Sequence, residues 1–193
     1  EFIMRGINHA HTWYLDEDTT AIKAIAETGS NVVRVVCSDG QQWTKDTEEM
    51  LEAVIDLCID NQMIAIVEVH DATGKDDISY LRNATDYWIE MKNALIGKEQ
   101  YVILNIANEW AGSWDSGLWR DGYTEAIPKL REAGIKNTIL VDAAGWAQYG
   151  KSIGDCGKEV FESDPDKNTM FAVHMYGTAG KDSATIENNL RYA

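Results

Sequence analysis

Short apolar runs rich in β-branched residues alternate with longer amphipathic stretches from one end of this chain to the other. The runs cover residues 3–8, 31–38, 63–70, 101–109, 138–145 and 169–176. They are almost continuously apolar, as strands of a parallel sheet buried on both faces must be. The stretch 46–61 is the clearest helix: Asp46 and Glu49 have capping-box spacing, and Met50, Leu51, Val54, Ile55, Leu57 and Cys58 form one apolar stripe. Further helices are predicted over 19–27, 81–95, 121–133, 153–161 and 183–192, with Gly29, Gly97 and Gly134 placed as C-terminal stops. Such alternation requires right-handed crossovers between parallel strands, in an open doubly wound sheet or a (β/α)8 TIM barrel. The strand starts recur about every 33 residues, so eight units would need roughly 260, close to the ~250 typical of the barrel. The predicted fold is therefore α/β, with this chain supplying about six βα units of a TIM barrel. A nucleotide-binding open sheet fits less well, because Gly6-Ile7-Asn8-His9 runs into His11-Thr12-Trp13 rather than a glycine-rich phosphate loop.

Only two prolines, Pro128 and Pro165, occur among the 193 residues, and no Ser/Gly/Pro-rich tract marks a boundary, so residues 1–193 are read as one domain. With 17 Lys+Arg against 32 Asp+Glu the net charge is −15. Nucleic acids and anionic membranes attract clustered positive charge, so neither is an expected partner. Cys37, Cys58 and Cys156 are odd in number and far apart, which suggests neither a disulfide framework nor a zinc ribbon.

Barrel enzymes carry their chemistry at the C-terminal ends of the strands. Polar residues interrupt the apolar runs there: Asn8, His9 and His11; Arg34, Ser38 and Asp39; His70 and Asp71; Asn108 and Glu109; Asp142; His174 and Tyr176. A single strand-end histidine is usually a hydrogen-bonded core residue, but recurrence at every strand end points to a site. Five of the seven tryptophans, Trp13, Trp43, Trp110, Trp114 and Trp146, follow strands, whereas Trp88 and Trp119 fall in or beside helices and read as structural. Aromatic platforms with polar edges suit the C–H faces of sugar rings. Glu109 is the sharpest candidate. It closes an apolar strand, where a half-buried carboxyl is expected to be suited to general acid work. Glu68, two residues below His70 on the same strand face, lies deeper and is expected to pair with Arg34.

Asn108-Glu109 ending the fourth strand, with Arg34 on the second, His70 on the third and His174-Met-Tyr176 on the sixth, resembles glycoside hydrolase family 5. Arg5-Gly-Ile-Asn-His-Ala-His-Thr-Trp-Tyr14, Glu68-Val-His-Asp-Ala-Thr-Gly74 and Asn105-Ile-Ala-Asn-Glu-Trp110 look like the bacterial endo-β-1,4-mannanases of that family. The resemblance implies retaining hydrolysis of mannan-type polysaccharides by two glutamates, with Glu109 as acid/base and no metal or other cofactor. It assigns Asn108 to the sugar 2-hydroxyl, Arg34 and Tyr176 to the nucleophile carboxylate, and His70 and His174 to the subsite of bond cleavage. His11, Trp13, Trp110 and Trp146 are expected to bind sugar. It also implies secretion. The nucleophile would follow a seventh strand, beyond the six read here. Residues 1–193 are therefore expected to be inactive alone, the remainder lying further along the chain or in a second polypeptide. The alternatives are a cellulase of the same family, a noncatalytic glycan-binding fragment, and a metal-dependent amidohydrolase barrel using His9-x-His11, with Glu109 and His174 as further ligands.

Overall fold

The computed structural model describes residues 2–192. Six strands, β1 (Gly6–His9), β2 (Val32–Cys37), β3 (Ile64–Val69), β4 (Val102–Asn105), β5 (Thr138–Asp142) and β6 (Thr169–Ala172), form one sheet in sequence order. Every neighbouring pair is parallel. The crossovers carry α1 (Asp18–Glu27), α2 (Glu48–Asp60), α3 (Ile78–Glu90), α4 (Ser116–Glu132) and α5 (Lys151–Ser163), and α6 (Ser183–Tyr192) follows β6. This is a partial (β/α)8 barrel. Among the described residues no helix is long and apolar enough to cross a membrane.

Alternation along each strand sorts the side chains into two layers. Val33, Val35, Cys37, Ala65, Val67, Val69, Leu104, Ile139 and Val141 are buried against the helices in the main core. Val32, Ile66 and Leu140 form a smaller cluster on the opposite face, lined by Ile64, Ile103, Met170 and Ala172. That inner face also carries the polar residues. Arg34 registers with Ile66, and Val36 with Glu68 and then Asn105. The expectation of strands apolar on both faces thus holds toward the helices and fails on the inside, where polar groups lead up to the strand ends.

The strands are shorter than predicted. β4 stops at Asn105 and β6 at Ala172, so Asn108, Glu109, His174 and Tyr176 lie in the loops that follow. At α2 the capping residue is Thr47, whose side chain accepts from the Met50 amide. Asp46 is instead buried and accepts from the Ser38 amide. Helix 81–95 divides into α3 and a 3-10 turn, Lys92–Ala94. Trp88 and Trp119 are fully buried, and their indole N–H groups donate to the carbonyls of Ile106 (2.8 Å) and Asp142 (2.7 Å), tying the ends of β4 and β5 to the helical layer.

Candidate active site

Beyond β4 the backbone amide of Asn108 still pairs with Val69 O (2.8 Å), extending the strand-like path to the rim. Glu109 then takes a left-handed conformation, φ 48°. A non-glycine residue pays on the order of 1–2 kcal/mol for this geometry and keeps it only where the surroundings hold it. Here they do: its amide donates to Asp142 Oδ2 (3.0 Å) and its carbonyl accepts from Gly74 (3.0 Å). The turn aims the carboxyl into a cleft of about 550 Å³ lined by Asn8, Arg34, His70, Asn108, Glu109 and His174, with Met175 and Tyr176 at its rim. Glu109 is the only carboxylate among these lining residues.

Both donors that reach Glu109 meet the same oxygen: His174 Nδ1 at 2.7 Å and the Tyr176 hydroxyl at 2.8 Å from Oε1. Oε2 has no protein hydrogen bond among the described residues and is left to the cleft. His174 Nε2 faces the buried Asp142 Oδ2 at 3.5 Å. Burial disfavours the imidazolium, but the Asp142 and Glu109 carboxylates outweigh it and raise His174 to about 9. Burial and the bond to Glu109 push Tyr176 up to about 12, so its hydroxyl remains a donor at neutral pH.

Arg34 organises the floor. It donates to Glu68 Oε1 (3.0 Å), Asn105 Oδ1 (3.0 Å) and Asn108 Oδ1 (2.7 Å). Burial works against its charge, and Glu68, Asp142 and Glu109 more than compensate. Asn108 Nδ2 donates to Thr73 Oγ1 (2.8 Å), so the amide is clamped on both sides with one N–H to spare. His70 Nδ1 sits 2.8 Å from Glu68 Oε1. Glu68 is fully buried and paired with Arg34, at the depth its place on the strand implied.

The aromatic residues divide. Trp13 is 42% and Trp146 44% exposed, at the rim. Trp13 packs edge-on against Trp43 (4.9 Å) and His70 (5.4 Å). Trp146, itself at φ 58°, lies over Gly74, where an added Cβ would come within 2.3 Å of the indole. Two expected sugar-binding residues are corrected. Trp110 is fully buried: its N–H donates to Asp77 O (3.2 Å), and its ring meets Tyr123 and the space left by Gly122. The turn that sends Glu109 to the cleft sends the next side chain to the helices. His11 is 1% exposed, because a 3-10 turn at His11–Trp13 directs its ring to Asp18 on α1. His9 bonds the same carboxylate (2.6 Å), so this histidine pair does not converge with Glu109 and His174 as a catalytic metal site of the amidohydrolase kind would require. Arg34 reaches Asn108 and Glu68, and Tyr176 reaches Glu109, where a second glutamate was expected to be their partner.

Sequence reasoning counted Asp142 among the strand-end polar residues without giving it a role, and left Asn105, Thr73 and Gly74 out of the site. Asn105 and Asp142 had a signal, as isolated polar residues in apolar runs. Thr73 and Gly74 act through loop-to-loop contacts, for which the sequence has no pattern.

The model for Cellulase (glycosyl hydrolase family 5) matches residues 1–192. A mannan endo-1,4-beta-mannosidase of Salipaludibacillus agaradhaerens is 60% identical over 189 residues, covering 98% of this chain and 61% of that protein. The Streptomyces lividans mannan endo-1,4-beta-mannosidase is 45% identical over 180 residues, 91% of this chain and 47% of its own length. The mannohexaose complex of the Thermomonospora fusca beta-mannanase superposes with a TM-score of 0.92 at 40% identity, covering 100% of this chain and 66% of that one. The chain thus spans about half to two thirds of the relatives it matches.

Proposed function

Because the chain belongs to glycosyl hydrolase family 5, we propose that it provides the acid/base half of a retaining endo-β-1,4-mannanase acting on mannan-type polysaccharides. The observation that carries this reading is the state of Glu109: the one carboxylate lining the cleft, held through Oε1 by His174 and Tyr176, with Oε2 turned to the open space. In the first step Glu109 Oε2 gives its proton to the glycosidic oxygen as the bond to the sugar breaks. In the second it takes a proton from the water that releases the sugar. The remaining N–H of Asn108 faces a sugar hydroxyl, and Arg34 holds that amide in place. His70 and the Trp13–Trp43 pair form one wall.

Retention needs a second carboxylate about 5 Å from the first. Glu68 and Asp142 cannot serve: both are fully buried, Glu68 under Arg34 and His70, Asp142 behind the Glu109 amide and Asn105. The nucleophile is assigned to residues outside those described. Mannan is preferred to cellulose as substrate because the mannosidases cited share 45–60% identity with the chain, whereas the Endoglucanase A of Evansella cellulosilytica shares 30% over 159 residues. A polymeric substrate suits an enzyme released outside the cell, and recovery of mannanase activity from the medium rather than the cell fraction checks that reading.

The test is Glu109→Gln in the active enzyme. Turnover of mannan is expected to fall by about 10²-fold or more, the usual worth of positioned proton transfer. An aryl mannoside with an activated leaving group should lose little in its first step. Near wild-type hydrolysis of mannan by Glu109→Gln would remove the assignment.

A further inference from the structure

We propose that His9, His11 and Asp18 form a binding site for a divalent transition metal of the zinc type, one that fastens β1 to α1 outside the catalytic cleft. One ligand atom from each of the three lies within 4.8 Å of the others. The two histidines are 6% and 1% exposed, and Asp18 is 14% exposed, which leaves a path for an ion and a place for a solvent ligand. Two imidazoles, one carboxylate and one open position are a common zinc donor set. None of the three lines the cleft that holds Glu109. The expectation that the hydrolytic reaction needs no metal is therefore untouched, and the proposed ion lies apart from that reaction.

The second observation lies on the far side of the His11 ring. Asp18 Oδ1 is 2.6 Å from His9 Nε2, and Asp18 Oδ2 is 2.8 Å from His11 Nδ1. For these to be hydrogen bonds to an ionised Asp18, the His11 proton must sit on Nδ1. In the neutral ring His11 Nε2 is then an acceptor facing Asp46 Oδ1 at 3.9 Å. Both atoms are buried, and neither has a hydrogen-bond partner. With a neutral ring and an ionised Asp46 these are two buried acceptors opposed to each other, an expensive arrangement. A metal on His11 Nδ1 reverses it: the ring proton moves to Nε2 and points at Asp46, giving the carboxylate–histidine–metal order in which an outer carboxylate orients a ligating ring. His9, which donates from Nε2 to Asp18, moves its proton to Nδ1 in the same way, so each ring keeps one proton and none is lost or gained. The edges of a zinc tetrahedron are about 3.3 Å, so Asp18 must draw back from the rings by a few tenths of an ångström as the ion enters. Among the described residues no Lys or Arg forms an ion pair with Asp18 or Asp46, which leaves the two carboxylates without a fixed cation.

The experiment is titration of the purified protein with zinc, read three ways. Equilibrium dialysis should show about one zinc per chain, accompanied by a saturable rise in Tm. Asp18→Asn and His9→Gln, checked for fold by circular dichroism, should abolish stoichiometric binding, and Asp46→Asn should weaken it by about 10–100-fold. Should these variants misfold, imidazole ¹⁵N spectra of the wild-type protein decide, since zinc must convert His11 from the Nδ1–H to the Nε2–H tautomer. Absence of bound zinc at micromolar concentration, binding that survives in the folded variants, or a His11 tautomer unmoved by zinc would each overturn the proposal.

Discussion

Glu109 and Trp110 are neighbours in the chain and end on opposite sides of the barrel rim. The left-handed turn at Glu109 is held at both its amide and its carbonyl, by Asp142 and Gly74, so the carboxyl cannot follow the next side chain inward. Trp110 then fills a slot that only a glycine at 122 leaves open, since a Cβ there would come within 2.3 Å of the indole. The same logic seats Trp146 over Gly74 on the cleft side. Trp13→Ala and Trp146→Ala are expected to raise KM for mannooligosaccharides while leaving thermal stability within about 0.5 kcal/mol of wild type, as for surface substitutions away from the core. Trp110→Ala should instead cost about 3–5 kcal/mol of stability, the price of a large cavity. Oligosaccharide binding isotherms and denaturant melts separate the two classes. Unchanged affinity in both exposed variants would make those indoles packing residues.

At the scale of elements, the connection from α4 to β5 and the one from α5 to β6 are locked together by a single buried pair. Arg131 at the end of α4 uses all its donors: Nε and Nη2 on Asp164 (2.9 Å each), Nη1 on the carbonyls of Ile135 and Asn137, and Nη2 also on Asn168 O. Asp164 in turn accepts from the amides of Asp166 and Asn168 and from the Thr169 hydroxyl, where β6 begins. Burial alone would raise the Asp164 carboxyl, but the bonds from Arg131 and Thr169 outweigh it and lower it from 3.8 to about 2. A depressed carboxylate contributes stability that is complete above its unfolded pKa and disappears as pH falls through the folded one. Wild-type Tm should therefore carry an Asp164 contribution that declines between about pH 4 and pH 2, and Asp164→Asn should flatten that part of the curve. Arg131→Met strands a buried carboxylate and should cost about 3–5 kcal/mol. Arg131→Lys should not restore it, because three donors on a flexible stem cannot reproduce the planar set. A variant as stable as wild type at pH 7 would show the pair to be dispensable.

At the scale of the molecule, the cleft is a composite. Arg34 comes from β2, Glu68 and His70 from β3 and its end, Asn108 and Glu109 from the loop after β4, Asp142 from β5, His174 and Tyr176 from the loop after β6. The sheet ends in two edge strands, β1 and β6, each paired on one side only among the described residues, and Phe2, Ile3, Met4 and Ile7 are exposed at or beside the first. Open edges with apolar flanks seek partners. Polypeptide 1–193 assayed by itself is expected to show no robust hydrolysis of mannan, because it supplies one cleft-lining carboxylate to a reaction that requires two. Adding a fragment that carries the last two βα units of a family relative should restore turnover only where the two pieces co-purify as a closed barrel. Robust hydrolysis by 1–193 alone would mean that Glu68 or Asp142 leaves its buried position to act, or that the chemistry does not use two carboxylates.

Alternation of apolar runs with helical stripes was enough to establish a parallel α/β fold and the strand ends as the place of the polar residues, because those properties follow from periodicity and chain connectivity; the barrel, and with it six strands in chain order, needed the repeat length as well. The pairing of Arg34 with Glu68 was equally legible, since a two-residue offset on a strand sets both face and depth. The directions of His11 and Trp110 were not. Each sits one or two residues from a group that faces elsewhere, and the choice is made by a 3-10 turn closed by local bonds in one case and, in the other, by a left-handed residue held by partners distant in sequence. The roles of Asp142, Thr73 and Gly74 likewise exist only once five strands stand side by side, because hydrogen bonds between loops depend on distances that no local pattern encodes.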